Sequence, residues 1–362
     1  MAISKEELEG QLSKLIEPNM GVDLISGGCV KNTEISEGNV RFDIEMGFPI
    51  AGYEDALKQS ILDAVGALTG NATVDIELSQ KITAHAVQTG AKRMPSVKNT
   101  IAIASGKGGV GKSTTTTNLA LALRDAGATV GVLDADIYGP SQPRMLGAQG
   151  KPESRDGQSM EPKVTFGIQS MSIGNLIDED TPMIWRGPMA TGALEQMITE
   201  TNWQDLDYLL IDLPPGTGDI QLTLSQKIPL SGAIIVTTPQ DIALLDARKA
   251  LKMFEKVDVP VMGIVENMSV HICSKCGNEE HIFGAGGGQS MAQQYNVDLL
   301  GSLPLSMDIR EGVDAGKPTV AFDPESRTSE IYRQIARRVA GKLAVRAKDY
   351  SAKFPNIVVQ QT

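Results

Sequence analysis

The sequence lacks most of the features that would place it outside the cell or in a membrane. Only three of its 362 residues are cysteine, so we do not expect a framework of disulfides. The longest apolar runs, such as residues 232–239, are shorter than the about 20 residues that a membrane helix needs. Residues 1–10 lack the apolar core of a signal peptide. We therefore expect a cytoplasmic protein.

Positive charge is also scarce. The chain has 33 Lys and Arg residues against 44 Asp and Glu residues, a formal net charge of −11. The chain as a whole therefore lacks the net positive charge that attracts nucleic acid or acidic lipid, and we expect neither as a partner. It also has no internal repeat of fixed period and no low-complexity tract. Its length allows two domains, and its apolar content of 41% is ordinary for a globular protein.

Two different patterns divide the chain. Residues 1–85 alternate helix, strand, strand, helix and strand, which predicts a small α+β domain. Residues 86–98 are polar, include Pro95 and show no clear period, as is typical of a linker. Over residues 99–347 apolar strands alternate with helices, which predicts an α/β domain with a doubly wound, mainly parallel sheet that binds ligands at the carboxyl ends of its strands. Residues 348–362 are a C-terminal tail.

A phosphate-binding loop stands near the start of the second domain. Gly106, Gly111, Lys112 and Ser113 satisfy G-x-x-x-x-G-K-[ST], directly between an apolar strand and a helical stretch. Glycines let backbone N–H groups surround phosphate oxygens, Lys112 neutralises charge and Ser113 can ligate Mg²⁺. The predicted binding residues of the loop are Gly106, Lys107, Gly108, Gly109, Val110, Gly111, Lys112, Ser113 and Thr114.

Acidic side chains follow two predicted strands of the same domain. Asp134 and Asp136 end one strand, and Asp212 ends another at the place of a carboxylate that holds Mg²⁺ through water. Gly216 follows Asp212 where a switch backbone can sense the γ-phosphate. Such carboxylates could instead cap turns or helices. Because two of them lie beside the strand of the phosphate loop, a role in nucleotide binding is favoured.

A close pair of cysteines, Cys273 and Cys276, follows a later strand. Two thiolates at this spacing suit one metal ion or one edge of a cluster, and they leave a four-ligand site half filled. His271 and His281 could complete a zinc site within one chain, or a second subunit could bring its own pair. The third cysteine, Cys29, lies outside this motif and is predicted to be a small buried residue.

The phosphate loop carries a second lysine, Lys107, in the stretch KGGVGKS. This stretch resembles the variant loop of the MinD, ParA and nitrogenase-reductase group of dimeric nucleotide hydrolases. The resemblance implies that Lys107 reaches across a dimer interface to the phosphates of the other subunit. It also implies that Asp136 orients the attacking water and that Asn267 contacts the base. The catalytic residues would then be Lys107, Lys112, Asp136 and Asp212.

Residues 98–345 strongly resemble the Mrp/ApbC family of iron–sulfur cluster carrier proteins. The matching blocks occur in order and are ASGKGGVGKST, DADIYGPS, IWRGPM, DYLLIDLPPGTGD, ENMS, the cysteine pair, FGAGGG and GSLPLSMDIRE. The N-terminal domain resembles, more weakly, a small domain often fused to these carriers. The resemblance implies a MinD-like, slow P-loop ATPase that uses ATP and Mg²⁺. It also implies a homodimer in which Cys273 and Cys276 of both subunits bridge a labile [4Fe–4S] cluster. The protein would receive this cluster from a donor and pass it to apo acceptor proteins.

Two other functions compete with this one. A MinD/ParA-like positioning ATPase with a structural zinc site would bind membrane or DNA, and the stretch 329–350 places Ile331, Ile335, Val339 and Leu343 beside basic side chains. That apolar stripe is narrow and has no Trp or Phe, which favours a helix packed on the sheet. Electron transfer like that of nitrogenase reductase fits less well, because that group has cysteines well separated in sequence.

Overall fold

The structure, a computed structural model, describes residues 4–36, 38–176, 187–273 and 275–348. The first three residues of the block IWRGPM and all of the tail after residue 348 lie outside the described residues.

The N-terminal unit is a small sheet covered by two helices. Strands β3, β4 and β5 form the sheet in that order, with β3 antiparallel and β5 parallel to β4. Along β4 alternate side chains are buried against the helices, and α2 supplies Leu57, Ile61 and Val65 to the same core. The elements are α1 (Lys5–Leu12), β1 (Ile16–Glu17), β2 (Val22–Asp23), β3 (Val30–Ser36), β4 (Asn39–Met46), α2 (Glu54–Thr69) and β5 (Thr73–Gln80).

The second domain is built on a sheet of eight strands. They are β6 (Val97–Ala104), β7 (Val130–Asp134), β8 (Lys163–Thr165), β9 (Ile168–Ser172), β10 (Leu206–Asp212), β11 (Gly232–Thr237), β12 (Val261–Glu266) and β15 (Leu299–Ser302). Their order is β15-β12-β11-β6-β10-β7-β9-β8, and only the edge strand β8 runs antiparallel to its described neighbour. Strands β13 (His271–Ile272) and β14 (Glu279–Glu280) form a separate antiparallel hairpin.

Helices cover both faces of this sheet. Ile101 and Ile103 of β6 point into one hydrophobic cluster, while Ala102 and Ala104 point into another. The predicted doubly wound, mainly parallel fold is therefore confirmed. The helical elements are α3 (Lys112–Asp125), α4 (Gln142–Met145), a 3₁₀ turn (Ile173–Asn175), α5 (Gly187–Thr199), α6 (Asp219–Lys227), α7 (Asp241–Lys256), α8 (Gly287–Tyr295), α9 (Met307–Asp314), α10 (Thr319–Phe322) and α11 (Arg327–Ala344).

Helix α11 buries its apolar stripe. Ile335, Val339 and Leu343 are almost fully buried in the cluster that also contains residues of α3 and of the N-terminal unit. The expectation of a helix packed inside the fold is confirmed, and this face is not available to a bilayer in this conformation. Among the helices of the described ranges, none combines the length and hydropathy that a bilayer-spanning segment requires.

The N-terminal unit packs directly on α11. The guanidinium carbon of Arg337 lies 5.3 Å from the ring centroid of Tyr53, and the Tyr53 hydroxyl donates a 2.9 Å hydrogen bond to the buried carboxylate of Glu17. A Cβ on Gly47 would lie 2.9 Å from the Cβ of Ala344. One hydrophobic core therefore crosses the predicted boundary at residue 85, and the division into two domains stays a prediction.

The predicted linker, residues 86–98, is attached at both ends. Strand β6 begins at Val97, so the last two residues of this stretch belong to the sheet. Gln88 is buried, donates to the carbonyl of Ser225 at 3.0 Å and accepts from the N–H of Leu230 at 2.7 Å. These bonds fix the first half of the stretch against the carboxyl end of α6.

Candidate nucleotide site and cysteine hairpin

The phosphate loop has the backbone shape that an anion needs. Gly109 and Gly111 have φ values of 79° and 82°, a left-handed conformation that favours glycine. A Cβ on Gly106 would lie 2.1 Å from the carbonyl carbon of Asp246 in α7, so the loop runs directly against that helix. Since α3 begins at Lys112, the loop ends at a helix N-terminus, where backbone N–H groups and the helix dipole attract phosphate.

Replacing Gly106 with alanine should weaken nucleotide binding by about tenfold or more. The added methyl group has no room beside Asp246, so the loop must shift away from the shape that fits phosphate. Calorimetric titration with ADP measures the effect. Gly66→Ala in α2, where a Cβ meets nothing within 4 Å, is the matched control. Equal ADP affinity in the Gly106 variant and the wild type would contradict the expectation.

Lys112 is buried among carboxylates. Its Nζ lies 2.5 Å from Oδ1 of Asp212 and 3.6 Å from Oδ2 of Asp136. Burial by itself would lower the pKa of Lys112, but the two carboxylates outweigh it and hold the pKa above its usual value. Lys112 therefore stays charged at the start of α3, beside the phosphate loop.

Asp134 organises the loop that carries Asp136. It is fully buried and accepts hydrogen bonds from the backbone N–H groups of Asp136 at 3.1 Å and Gln142 at 3.0 Å, and from the hydroxyl of Ser172 at 3.0 Å. Burial, with the nearby charge of Asp212, raises the pKa of Asp134 to about 7. Burial also raises the pKa of Asp136, against the effect of Lys112. Carboxylate and hydroxyl oxygens, such as those of Asp136, Asp212 and Ser113, are the ligand type that Mg²⁺ prefers.

The other predicted residues lie around the same loop. The side-chain amide of Asn267 donates to the Val110 carbonyl at 2.9 Å, and Gly216 donates its N–H to the Ser105 carbonyl at 2.9 Å. Lys107 is half-buried and donates to Oε1 of Gln240, just before α7, at 3.3 Å. Within its own chain Lys107 thus contacts the start of α7, and Lys112 holds the place among the carboxylates.

The sequence motifs do not include Gln142, which contacts this site from α4. Its Nε2 donates to Oδ2 of Asp212 at 2.9 Å and to the Ser113 carbonyl at 3.0 Å. Gln142 begins α4, one residue after the block DADIYGPS, and lies outside the motif that drew attention to Asp134 and Asp136.

The cysteine pair lies on the hairpin of β13 and β14. Cys273 donates its N–H to the Asn278 carbonyl at 2.9 Å and accepts from the N–H of Gly277 at 2.8 Å, which closes the turn. Cys273 is half-buried and Cys276 is exposed. Two accessible thiols on one turn fit the edge of an iron–sulfur cluster, for which thiolates are the usual ligands.

The two histidines are turned toward backbone carbonyls. Nδ1 of His281 lies 2.8 Å from the Ser269 carbonyl oxygen, and Nδ1 of His271 lies 3.3 Å from that of Leu305. Across the described part of the chain, no three His, Cys, Asp or Glu side chains converge as a metal site. The four-ligand zinc site considered from the sequence is therefore not assembled there.

Cys273, which is half-buried, should react faster than Cys29, which is buried. Backbone N–H groups of Lys275 and Cys276 stabilise its thiolate and lower its pKa from the ordinary 9.0, whereas burial raises the pKa of Cys29 to about 11. Iodoacetamide at pH 7 should label Cys273 and leave Cys29 intact in the folded protein, as measured by peptide mass spectrometry. A midpoint for labelling of Cys273 at or above pH 9 would contradict this expectation.

Taken together, the phosphate loop, the buried lysine and the carboxylates at the strand ends define a P-loop NTPase. Comparison with known proteins narrows the class. The family model described as NUBPL iron-transfer P-loop NTPase matches residues 96–340, and the model described as iron–sulfur cluster assembly protein matches residues 5–77. The chain therefore belongs to the family of iron-transfer P-loop NTPases.

Known relatives span most of the chain. It is 50% identical over 338 residues to an iron–sulfur cluster carrier protein of Escherichia coli strain K12, covering 92% of this chain and 91% of that protein. It is 50% identical over 254 residues to the iron–sulfur cluster transfer protein NUBPL of Mus musculus, covering 70% and 80%. A solved nucleotide-binding protein from Archaeoglobus fulgidus, in complex with ADP, matches with a TM-score of 0.56 and 36% identity, covering 66% and 93%.

Proposed function

We propose that the protein is an ATP-dependent carrier that binds a labile [4Fe–4S] cluster at a homodimer interface and transfers it to apo proteins. The observation that carries the proposal is the accessible pair of Cys273 and Cys276, which supplies half of a four-thiolate site. A second copy of the chain supplies the other half across a two-fold axis. The cluster is cargo, because an exposed hairpin can release it without opening the core.

The nucleotide site supplies the energy for this cycle. With nucleotide bound, Lys112 would leave Asp212 for the phosphates, and Ser113 and Asp212 would hold Mg²⁺. The ion, when bound, neutralises charge on the phosphates. Asp136 orients the attacking water, and Gly216 senses the γ-phosphate. Asn267, beside the loop, contacts the base of ATP.

One stretch of chain connects the two sites. Asn267 contacts the phosphate loop through Val110, and Cys273 follows six residues later. A change in the loop on nucleotide binding therefore has a short covalent route to the thiolates. Such a change biases the dimer between holding and releasing the cluster only if nucleotide contacts differ between the two arrangements.

The experiment that tests this function is anaerobic reconstitution with iron and sulfide, followed by transfer. We expect absorption typical of a [4Fe–4S] cluster and activation of an apo enzyme that requires one, with ATP altering the transfer rate. Protein that takes up no sulfide, or that holds a cluster and transfers none, would overturn the proposal. Co-sedimentation with anionic vesicles or DNA in the presence of ATP would instead support a positioning ATPase.

A further inference from the structure

Gln142 has a buried polar side chain, and the proposed function gives it no role. It is 1% exposed and lies at the first position of α4. Each polar atom of its side chain has a partner: Nε2 donates to Asp212 and to the Ser113 carbonyl, and Oε1 accepts from the hydroxyl of Thr117 at 2.7 Å. A glutamine buried with its hydrogen bonds satisfied fixes the groups around it.

The hydrogen bond from Gln142 to Asp212 matters because Lys112, which also binds Asp212, must give up its own bond when it turns to a phosphate. Oδ1 of Asp212 accepts from Lys112 at 2.5 Å and from the hydroxyl of Thr116 at 3.3 Å, whereas Oδ2 accepts from Gln142 at 2.9 Å. When Lys112 turns to a phosphate, Oδ1 loses its strongest partner. Gln142 would then still bind Oδ2, so the carboxylate would keep its direction after Oδ1 loses Lys112.

Gln142 also closes the loop that carries Asp136. Its backbone N–H donates to Asp134 at 3.0 Å, while its side chain binds Asp212 and Ser113. The loop between Asp134 and Gln142 is therefore tied at its far end both to its own strand and to the phosphate loop. Displacing the side chain of Gln142 would free one end of the segment that presents Asp136.

We propose that Gln142 is a positioning residue, which keeps Asp212 and the Asp136 loop in register for the Mg²⁺-bound nucleotide. This inference rests on the proposed use of Mg²⁺ and ATP at this site. It predicts that the effect of replacing Gln142 on nucleotide binding depends on Mg²⁺. The reason is that Gln142 acts through Asp212, which is proposed to hold the ion, and through the loop that carries Asp136.

The test compares Gln142→Leu with the wild type. We expect kcat for ATP to fall about tenfold with little change in KM. The ratio of ADP dissociation constants without and with Mg²⁺ should also fall by about tenfold, whereas binding without Mg²⁺ should change by less than about twofold. Thr117→Val removes the hydroxyl that orients Gln142, and it should shift the same ratio in the same direction by less.

The matched control is Gln169→Leu. Gln169 is also buried and pairs with the backbone of Gln204 through two hydrogen bonds of 2.9 Å, away from the nucleotide site. Its loss should lower the thermal unfolding temperature without moving the ADP ratio. If Gln142→Leu and Thr117→Val leave the ratio as unchanged as the control does, the inference is wrong. If the wild type binds ADP but hydrolyses no ATP, the proposed ATPase function fails, and the ADP ratio alone still decides the role of Gln142.

Discussion

Replacing Lys107 with alanine is expected to lower the ATPase rate by about a thousandfold or more while the protein still binds ATP. The reason is that Lys107 contacts Gln240 rather than the carboxylate site of its own chain, where Lys112 already lies. The resemblance of its loop to that of the MinD, ParA and nitrogenase-reductase group implies that its charge reaches the phosphates of the partner subunit. A charge supplied in this way by an arginine finger is worth about 10³ to 10⁵ in rate.

Mixing two inactive variants tests whether the lysine acts between subunits. A dimer of Lys107→Ala with Lys112→Ala has one intact site, because the Lys112 variant lends its Lys107 to the other chain. Random mixing should restore about a quarter of the wild-type rate, since half of the dimers are mixed and half of their sites work. No recovery in mixed dimers would place the action of Lys107 within its own chain. Lys249→Ala, which removes an exposed lysine of α7, is the control.

Replacing both Cys273 and Cys276 with serine is expected to abolish cluster binding. Wild type should hold about four iron and four sulfide per dimer after reconstitution, and the variant should hold neither. The fold and ADP binding should stay unchanged, because the hairpin of β13 and β14 is separate from the central sheet. Iron and sulfide assays with the absorption spectrum measure the loss.

Two controls give this result its meaning. Cys29→Ala removes the buried cysteine outside the motif and should retain the cluster. Combined His271→Ala and His281→Ala should also retain it, because the proposed ligands of the cluster are the thiolates of Cys273 and Cys276 and of the second copy. Iron that survives the double serine change would show that other ligands hold the cluster. Tightly bound zinc that is lost with the histidines, with no uptake of sulfide, would make the site structural.

The sequence predicted the parts of the fold that repeat a local pattern. It predicted apolar strands alternating with helices over residues 99–347, and its glycines predicted the phosphate loop that the structure has between β6 and α3. Strand β9 was not predicted, because its buried side chains include Gln169, Ser170 and Ser172 and do not look like an apolar run. Their partners explain this burial: Gln169 pairs with Gln204, and Ser172 pairs with Asp134, both more than 30 residues away.

The candidate site was predictable only as far as its motifs reach. The motifs predicted that Lys112, Asp136 and Asp212 belong to one site. The structure places the three residues within one ion-pair cluster. The contact of Gln142 with Asp212 joins residues 70 positions apart, and a short sequence pattern cannot encode such a contact. The packing of Tyr53 under Arg337 was hidden for the same reason, because it depends on how two separately predicted units meet.

The two sites differ in how much of the fold depends on them. Lys112 and Asp212 are almost fully buried in the centre of the protein, whereas the turn that bears Cys276 is exposed and its hairpin contains only two paired positions on each strand. Substitutions at exposed positions away from special contacts have little effect on stability. Most changes in the exposed turn should therefore leave the folding of the central sheet intact, whereas a change at Lys112 or Asp212 leaves a buried charge without its partner in the centre of the protein.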